Sequence, residues 1–172
     1  WKAQIAQGAP IPAKFYVSPL QRSCYTLVHT WDDIKPKENR PLVTESIRET
    51  IGIHLSDKRS SKSVIRERFD KYGFIIDDLF TEEDELYEHD TREKLHEQAV
   101  RVNGFLQSLF NEDCDLKTSA LDEKKKLQNS VISTTSHTGT IKSFTMVLGH
   151  RHFTIPTGGM IPILVKGTRR LN

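Results

Sequence analysis

The chain has 172 residues, with 25 Lys and Arg against 23 Asp and Glu for a formal charge of +2, and an apolar fraction of 36%. That length suits one domain with a sizeable core, and no apolar run approaches the length needed to cross a bilayer. The near-balanced charge argues against a nucleic-acid partner: Lys124-Lys125-Lys126 follows Asp122-Glu123 and reads as a solvated helix face.

Taken in order, residues 1–13 read as the tail of an element and a Pro/Gly loop. Lys14 to Val17 is a short β-type run, after which Ser18 reads as an N-cap with Pro19 at the first helical position. The helix that follows places Leu20, Cys24, Leu27, Val28 and Trp31 on one face, with Arg22 in its first turn off that face. Residues 32–41 form a charged, proline-containing loop, and residues 41–46 suit a second strand. Residues 47–60 have neither period, are dense in charge and contain a glycine, which suits an ordered functional loop. Residues 60–71 read as a helix with Val64, Ile65 and Phe69 inward; Phe74-Ile75-Ile76 is an apolar run of either type.

An acidic connector, residues 81–88, precedes a helix over 91–110, capped by Thr91, with Glu93 and Glu97 at its positive end. Its stripe is Leu95, Ala99, Val102, Leu106, Leu109 and Phe110. Residues 111–129 are polar, with a short helix around the lysines. Val131 to Thr135 is a strand, followed by a helix over 138–148 with Ile141, Phe144, Thr145 and Leu148 inward. A turn at 157–159 leads to a final strand, 160–165, where Pro162 indicates a sheet edge. Strands alternating with amphipathic helices imply an α/β domain: three layers, a mostly parallel sheet with helices on both faces. Cys24 and Cys114 are far apart, so reduced thiols in a cytoplasmic protein are expected, with the nucleus also open. Because the chain opens on Trp1, the sequence leaves room for a targeting segment upstream.

Two junctions share one design. Val17-Ser18 and Thr135-Ser136 each end a strand and start a helix, which is where α/β proteins bind ligands. Helix N-termini there aim free N–H groups at an anion. His137 and Arg22 stand at these junctions, and parallel neighbouring strands would bring them to one pocket. Arginine offers a planar fork for phosphate oxygens, and histidine can donate to or exchange a proton with them. The plainer readings are a surface arginine and a polar turn residue. Glu49, in the loop after a strand, suits a general acid for a leaving alkoxide, or equally a salt bridge to Arg48 or Arg59. Metal sites are not expected: His96-Glu97-Gln98-Ala99-Val100 lacks the second histidine of a zinc-protease motif, and His150-Arg151-His152 lacks matching ligands. Gly158-Gly159 lacks P-loop context, and no G-x-S-x-G is present.

Ser18-Pro19-Leu20-Gln21-Arg22-Ser23 with Thr26 resembles the "S-x-L-x-R-x-x-x-T" block of the histidine phosphatase superfamily, the phosphoglycerate mutase-like proteins. Residues 47–52 resemble its "L-R-E-x-x-G" block, and Ser136-His137-Thr138-Gly139 its "S-H-G-G" block, with threonine for the first glycine. The three come in the family's order and cover about residues 14 to 166. Residues 48–59, with Asp84-Glu85-Leu86 and Arg92-Glu93, look most like the fungal phosphomutase-like subgroup.

The resemblance implies transfer of a phosphoryl group through a phosphohistidine, without metal or organic cofactor, on a small phosphorylated substrate. It implies that Arg22, His137 and Thr138 bind phosphate, that His137 also stabilises the transferred group, and that Glu49 protonates the leaving oxygen. Arg48, His54, Arg59 and Arg92 would line a substrate pocket roofed by the residues between Arg48 and Arg92.

One departure stands out. The family's nucleophile lies in an R-H-G motif on its first strand, and none of the seven histidines fits. The expectation is therefore a single partial domain over 1–172, the C-terminal portion of a longer protein lacking the first strand. The parent reads as a phosphatase. Alternatives are a phosphomutase, and an inactive module that binds a phosphorylated ligand or a protein partner.

Overall fold

The computed structural model describes residues 1–115, 130–151 and 153–168, with 112–115 as backbone alone. Its sheet is four-stranded and wholly parallel. β1 (Lys14–Val17) lies between β2 (Leu42–Val43) and β4 (Ile132–Thr135), and β3 (Ile75–Ile76) adds beyond β2. Val17 is in register with both Val43 and Thr135, so the three strands end level and deliver their following loops to one rim.

Parallel strands need crossovers, and helices supply them on both faces. α1 (Lys2–Ala6) precedes the sheet, with the Trp1 ring tilted against Trp31 at 5.1 Å between centroids. α2 (Gln21–Trp31) links β1 to β2, and α3 (Lys62–Phe69), continued by a 3-10 turn, leads to β3. α4 (Leu95–Asp115) precedes β4, and α5 (Thr138–Val147) follows it. The pleat of β1 divides the core: Phe15 and Val17 pack with Cys24, Leu27, Trp31, Ile65 and Phe69. Tyr16 turns the other way, onto Ile47 and Phe105. This is the expected three-layer α/β architecture.

Several expectations are corrected. Ser18 does not cap α2; the helix begins at Gln21 with Leu20 as N-cap, because the Ser18 hydroxyl is drawn to His137 instead. α4 starts at Leu95, not Thr91, and Leu95 itself is exposed. Residues 91–93 are held by the preceding loop, the Glu93 N–H donating to Ile51 O. The inward face of α5 is Thr140, Ser143 and Thr145; Ile141, Phe144 and Leu148 are only half-buried. Gln98 of α4, fully buried, explains the first two: its amide contacts Thr140 Oγ1 at 3.4 Å and Ser143 Oγ at 3.1 Å. Residues 160–165 form no strand, and Leu164 is wholly exposed. The short helix expected around the lysines, and Cys114, lie outside the described residues and side chains.

Residues 44–60 form the rim between β2 and α3. Gly52 has φ +93°, and a Cβ there would strike the Thr91 carbonyl, so only glycine lets these two backbones meet. Ile53 follows with φ +63°, a rare conformation for a β-branched residue. Beneath this loop Arg48, fully buried, grips Asp84 with both terminal nitrogens at 2.7 and 2.6 Å. Removing Arg48 would strand the Asp84 carboxylate, which is 1% exposed. Arg48→Ala should therefore destabilise the fold by about 3–5 kcal/mol. Urea unfolding checks this; an unchanged midpoint would show that the pair does not hold the loop.

Candidate active site

The level ends of β1 and β4 bring their two junctions into contact. The Ser18 N–H continues the ladder by donating to Thr135 O at 3.0 Å. One residue further, the Ser18 hydroxyl meets His137 Nε2 at 2.8 Å, and Ser23 Oγ of α2 lies 2.9 Å from the same nitrogen. Arg22 Nε donates to His137 Nδ1 at 3.3 Å. An arginine only donates, so Nδ1 carries the lone pair and Nε2 the proton, shared between the two serines. Both ring nitrogens are thus engaged and the imidazole is neutral. Burial lowers its pKa to about 3, with the Arg22 charge as the next cause.

Arg22 is half-exposed, and each of its three nitrogens has one partner. Beyond His137, Nη1 donates to Ser56 O at 2.5 Å and Nη2 to Asp57 Oδ1 at 3.0 Å. One further N–H on each terminal nitrogen has no described acceptor. The N–H groups of Thr138, Gly139 and Thr140 open α5 and likewise donate to no described backbone acceptor; the first internal bond runs from Ile141 N to His137 O. Thr138 is exposed on this first turn. A helix start of this kind favours negative charge.

Glu49 stands at the same helix start. A Cβ on Gly139 would collide with its Oε1 and lie 2.7 Å from Thr50 Oγ1, so the glycine is what admits the carboxylate. Oε1 accepts from the Thr50 N–H at 2.9 Å and from its hydroxyl at 3.3 Å. The structure thus gathers Arg22, Glu49, His137 and Thr138 around the N-terminus of α5.

The remaining candidates divide. Arg92 joins the group: Nη1 donates to Gly52 O at 2.8 Å and to Asp57 Oδ2 at 3.3 Å, while Nε and Nη2 donate to no described residue. His54 is exposed in the covering loop. Arg48 and Arg59 belong to the scaffold instead of the pocket. All five N–H groups of Arg48 are taken by Asp57 O, Glu45 and Asp84. Those of Arg59 are taken by Glu45, Ser60, Thr81, Glu82 and Glu83. Neither retains a donor for a substrate. A cleft of about 460 Å³ shares only Arg22 and Ser56 with this site and is otherwise lined by residues such as Tyr25, Leu55 and Lys58. The convergent chemistry lies at the α5 N-terminus, not in that cleft.

Sequence reasoning missed Ser23 and Asp57, and read Ser18 as a cap. All three lie inside stretches quoted for the family resemblance, but their roles were not read, since each acts across a large sequence separation. Among the described residues no cluster of three His, Cys, Asp or Glu side chains suits a metal. Burial pushes the Cys24 thiol up to about 12, so it is no nucleophile.

The chain is 31% identical over 169 residues to a probable phosphoglycerate mutase of Arthroderma benhamiae, a match covering 96% of this chain and 46% of that protein. It is 35% identical over 156 residues to phosphomutase-like protein 3 of Candida albicans, covering 91% and 44%. A probable phosphoglycerate mutase of Saccharomyces cerevisiae is 26% identical over 175 residues. The chain spans about half the length of these curated relatives. No family model and no solved structure matches it.

The neutral state of His137 has a pH signature. The unfolded chain protonates this histidine near its ordinary 6.5, the folded chain only near about 3. Between those values the unfolded state binds the extra proton, so stability falls as pH drops through that window. Relative to His137→Gln, the wild type should take up about one more proton on unfolding between pH ~4.5 and ~6. Urea unfolding of both proteins across that range measures it, and parallel pH slopes would refute a buried neutral His137.

Proposed function

The chain belongs to the histidine phosphatase superfamily, the phosphoglycerate mutase-like proteins, and on that premise we propose that the full-length protein is a phosphomonoesterase. The observation that carries this reading is the meeting of Arg22 and His137 at the start of α5, with Glu49 admitted beside Gly139. A phosphate there faces a helix N-terminus and the remaining N–H groups of Arg22. A pre-aligned donor set of this kind stabilises charge in a transferring phosphoryl group.

In the proposed cycle a histidine nitrogen attacks phosphorus while the ester oxygen departs with a proton from Glu49. Water then attacks the phosphohistidine, yields its proton to Glu49 and releases orthophosphate. None of the seven histidines of this chain stands in an R-H-G motif, so the cycle is proposed for the whole protein. Arg22 holds phosphate oxygens in ground and transition states. His137 responds to the anion: a dianion beside it favours the imidazolium, and Nδ1 then turns from acceptor for Arg22 to donor for phosphate.

The names of the relatives favour a second reading, a phosphomutase, in which a hydroxyl of the substrate replaces water in the second step. The absence of an R-H-G motif favours a third, a module that binds a phosphorylated ligand without turnover. Orthophosphate release from p-nitrophenyl phosphate by the full-length protein supports the phosphatase; isomerised phosphoglycerate without release supports the mutase, and neither supports the binding module. Arg22→Ala and His137→Ala should each lower kcat on the order of a hundredfold. Near-normal turnover in both variants would sink the site assignment.

A further inference from the structure

Asp57 belongs to none of the three sequence blocks, yet its carboxylate bonds both Arg22 and Arg92. Its carboxylate is 6% exposed, beneath two arginines that are 46% and 34% exposed. Each oxygen serves one of them: Oδ1 accepts from Arg22 Nη2 at 3.0 Å, and Oδ2 from Arg92 Nη1 at 3.3 Å. An ordinary surface ion pair leaves its carboxylate in water. Here the anion is underneath and the cations face outward, so one buried negative charge supports two outward positive ones.

The anchor itself is fixed through its main chain. The Asp57 N–H donates to His54 O at 2.8 Å, closing a 3-10 turn over Leu55–Asp57. Its carbonyl accepts from Nε and Nη2 of the fully buried Arg48 at 3.2 and 2.5 Å. Loop integrity is therefore carried by backbone groups, and the described bonds of the carboxylate all go to the two arginines. A long side chain loses about 2 kcal/mol of rotamer freedom on being fixed. A site that fixes Arg22 before the anion arrives does not meet that cost at binding.

We infer that Asp57 is a positioning residue of the phosphate site: it holds Arg22 and Arg92 side by side, so that both present their remaining N–H groups to one anionic substrate. This makes Arg92 a second cation of that site and rests on the reading of Arg22 as a phosphate ligand.

Simple charge counting and positioning predict opposite signs for Asp57→Asn. Deleting a negative charge beside two arginines strengthens anion binding by Coulomb's law alone. If the carboxylate positions the arginines, binding weakens despite the gain in positive charge. The probe is inorganic phosphate, titrated calorimetrically into the full-length protein, with ¹⁵N relaxation of the arginine Nε–H groups as the independent readout.

Wild-type Arg22 Nε–H should be as rigid as the backbone without phosphate. Asp57→Asn should make it mobile and raise the phosphate Kd on the order of tenfold, the effect of one lost charge-assisted contact. Unchanged or tighter binding in Asp57→Asn overturns the inference, provided that Arg22→Ala weakens binding. Unchanged affinity in Arg22→Ala overturns the phosphate-site reading itself, and the inference with it. Should Asp57→Asn fail to fold, Asp57→Glu takes its place, keeping the charge but moving the carboxylate by one methylene: weaker phosphate binding supports the inference, and binding as tight as in the wild type overturns it.

Discussion

Five consecutive carbonyls, Glu45 to Glu49, leave the end of β2 with no neighbouring strand to receive them, and side chains take them instead. Arg101 of α4 donates Nη1 to the carbonyls of Glu45, Ser46 and Arg48 at 3.0 to 3.1 Å, and Nη2 to that of Glu49 at 3.4 Å. Ser136 Oγ takes the Ile47 carbonyl at 2.6 Å, and Thr140 Oγ1 that of Arg48 at 2.8 Å. Buried irregular backbone persists only where its polar groups find partners. Here the partners come from α4 and from both sides of the β4–α5 junction. The segment carrying Glu49 is thus bolted to the segment carrying His137, and the polar inward face of α5 follows from the same need.

Arginine does three different jobs in this chain, and exposure separates them. Arg48 and Arg59 are buried with every donor engaged, and the Arg59 guanidinium lies 4.0 Å over the Phe80 ring. Arg101, mostly buried, caps carbonyls and pairs with Glu93 at 2.8 Å. Arg22 and Arg92 are partly exposed with donors to spare. The planar fork that suits a guanidinium to phosphate suits it equally to carbonyls and carboxylates. Residue type alone therefore cannot sort binding arginines from structural ones; only the count of occupied donors can.

The same distinction marks how far the sequence was legible. The α2 face of Leu20, Cys24, Leu27, Val28 and Trp31 is buried throughout, because apolar periodicity reports burial directly. The strand–turn–helix reading at Ser18 and His137 located the rim, because side-chain alternation and helix starts are local signals. The inward face of α5 was misread because Thr140 and Ser143 are buried for hydrogen bonding, which hydropathy does not register. Residues 160–165 were misread because β-type composition there meets no sheet edge. The role of Asp57 went unread for a related reason: the partners of its carboxylate lie 35 residues away in either direction.

The charge arrangement around His137 favours an anion from the outset. The imidazole is pressed toward neutrality by burial and by Arg22, and further by Arg48 and Arg101, with Asp57 alone opposing among the named causes. A neutral histidine under a cationic roof is a protein-made deficit of negative charge. Filling it with a dianion offsets the repulsion among Arg22, Arg92 and an incoming proton together. Under the proposed function, phosphate binding and protonation of His137 would be one linked event, because each lowers the electrostatic cost of the other. Asp57 keeps that deficit within bounds at rest, since among the described residues it is the carboxylate bonded to both arginines. The resting site is therefore held by one carboxylate below the arginines, and the proposed phosphate would add a second anion above them.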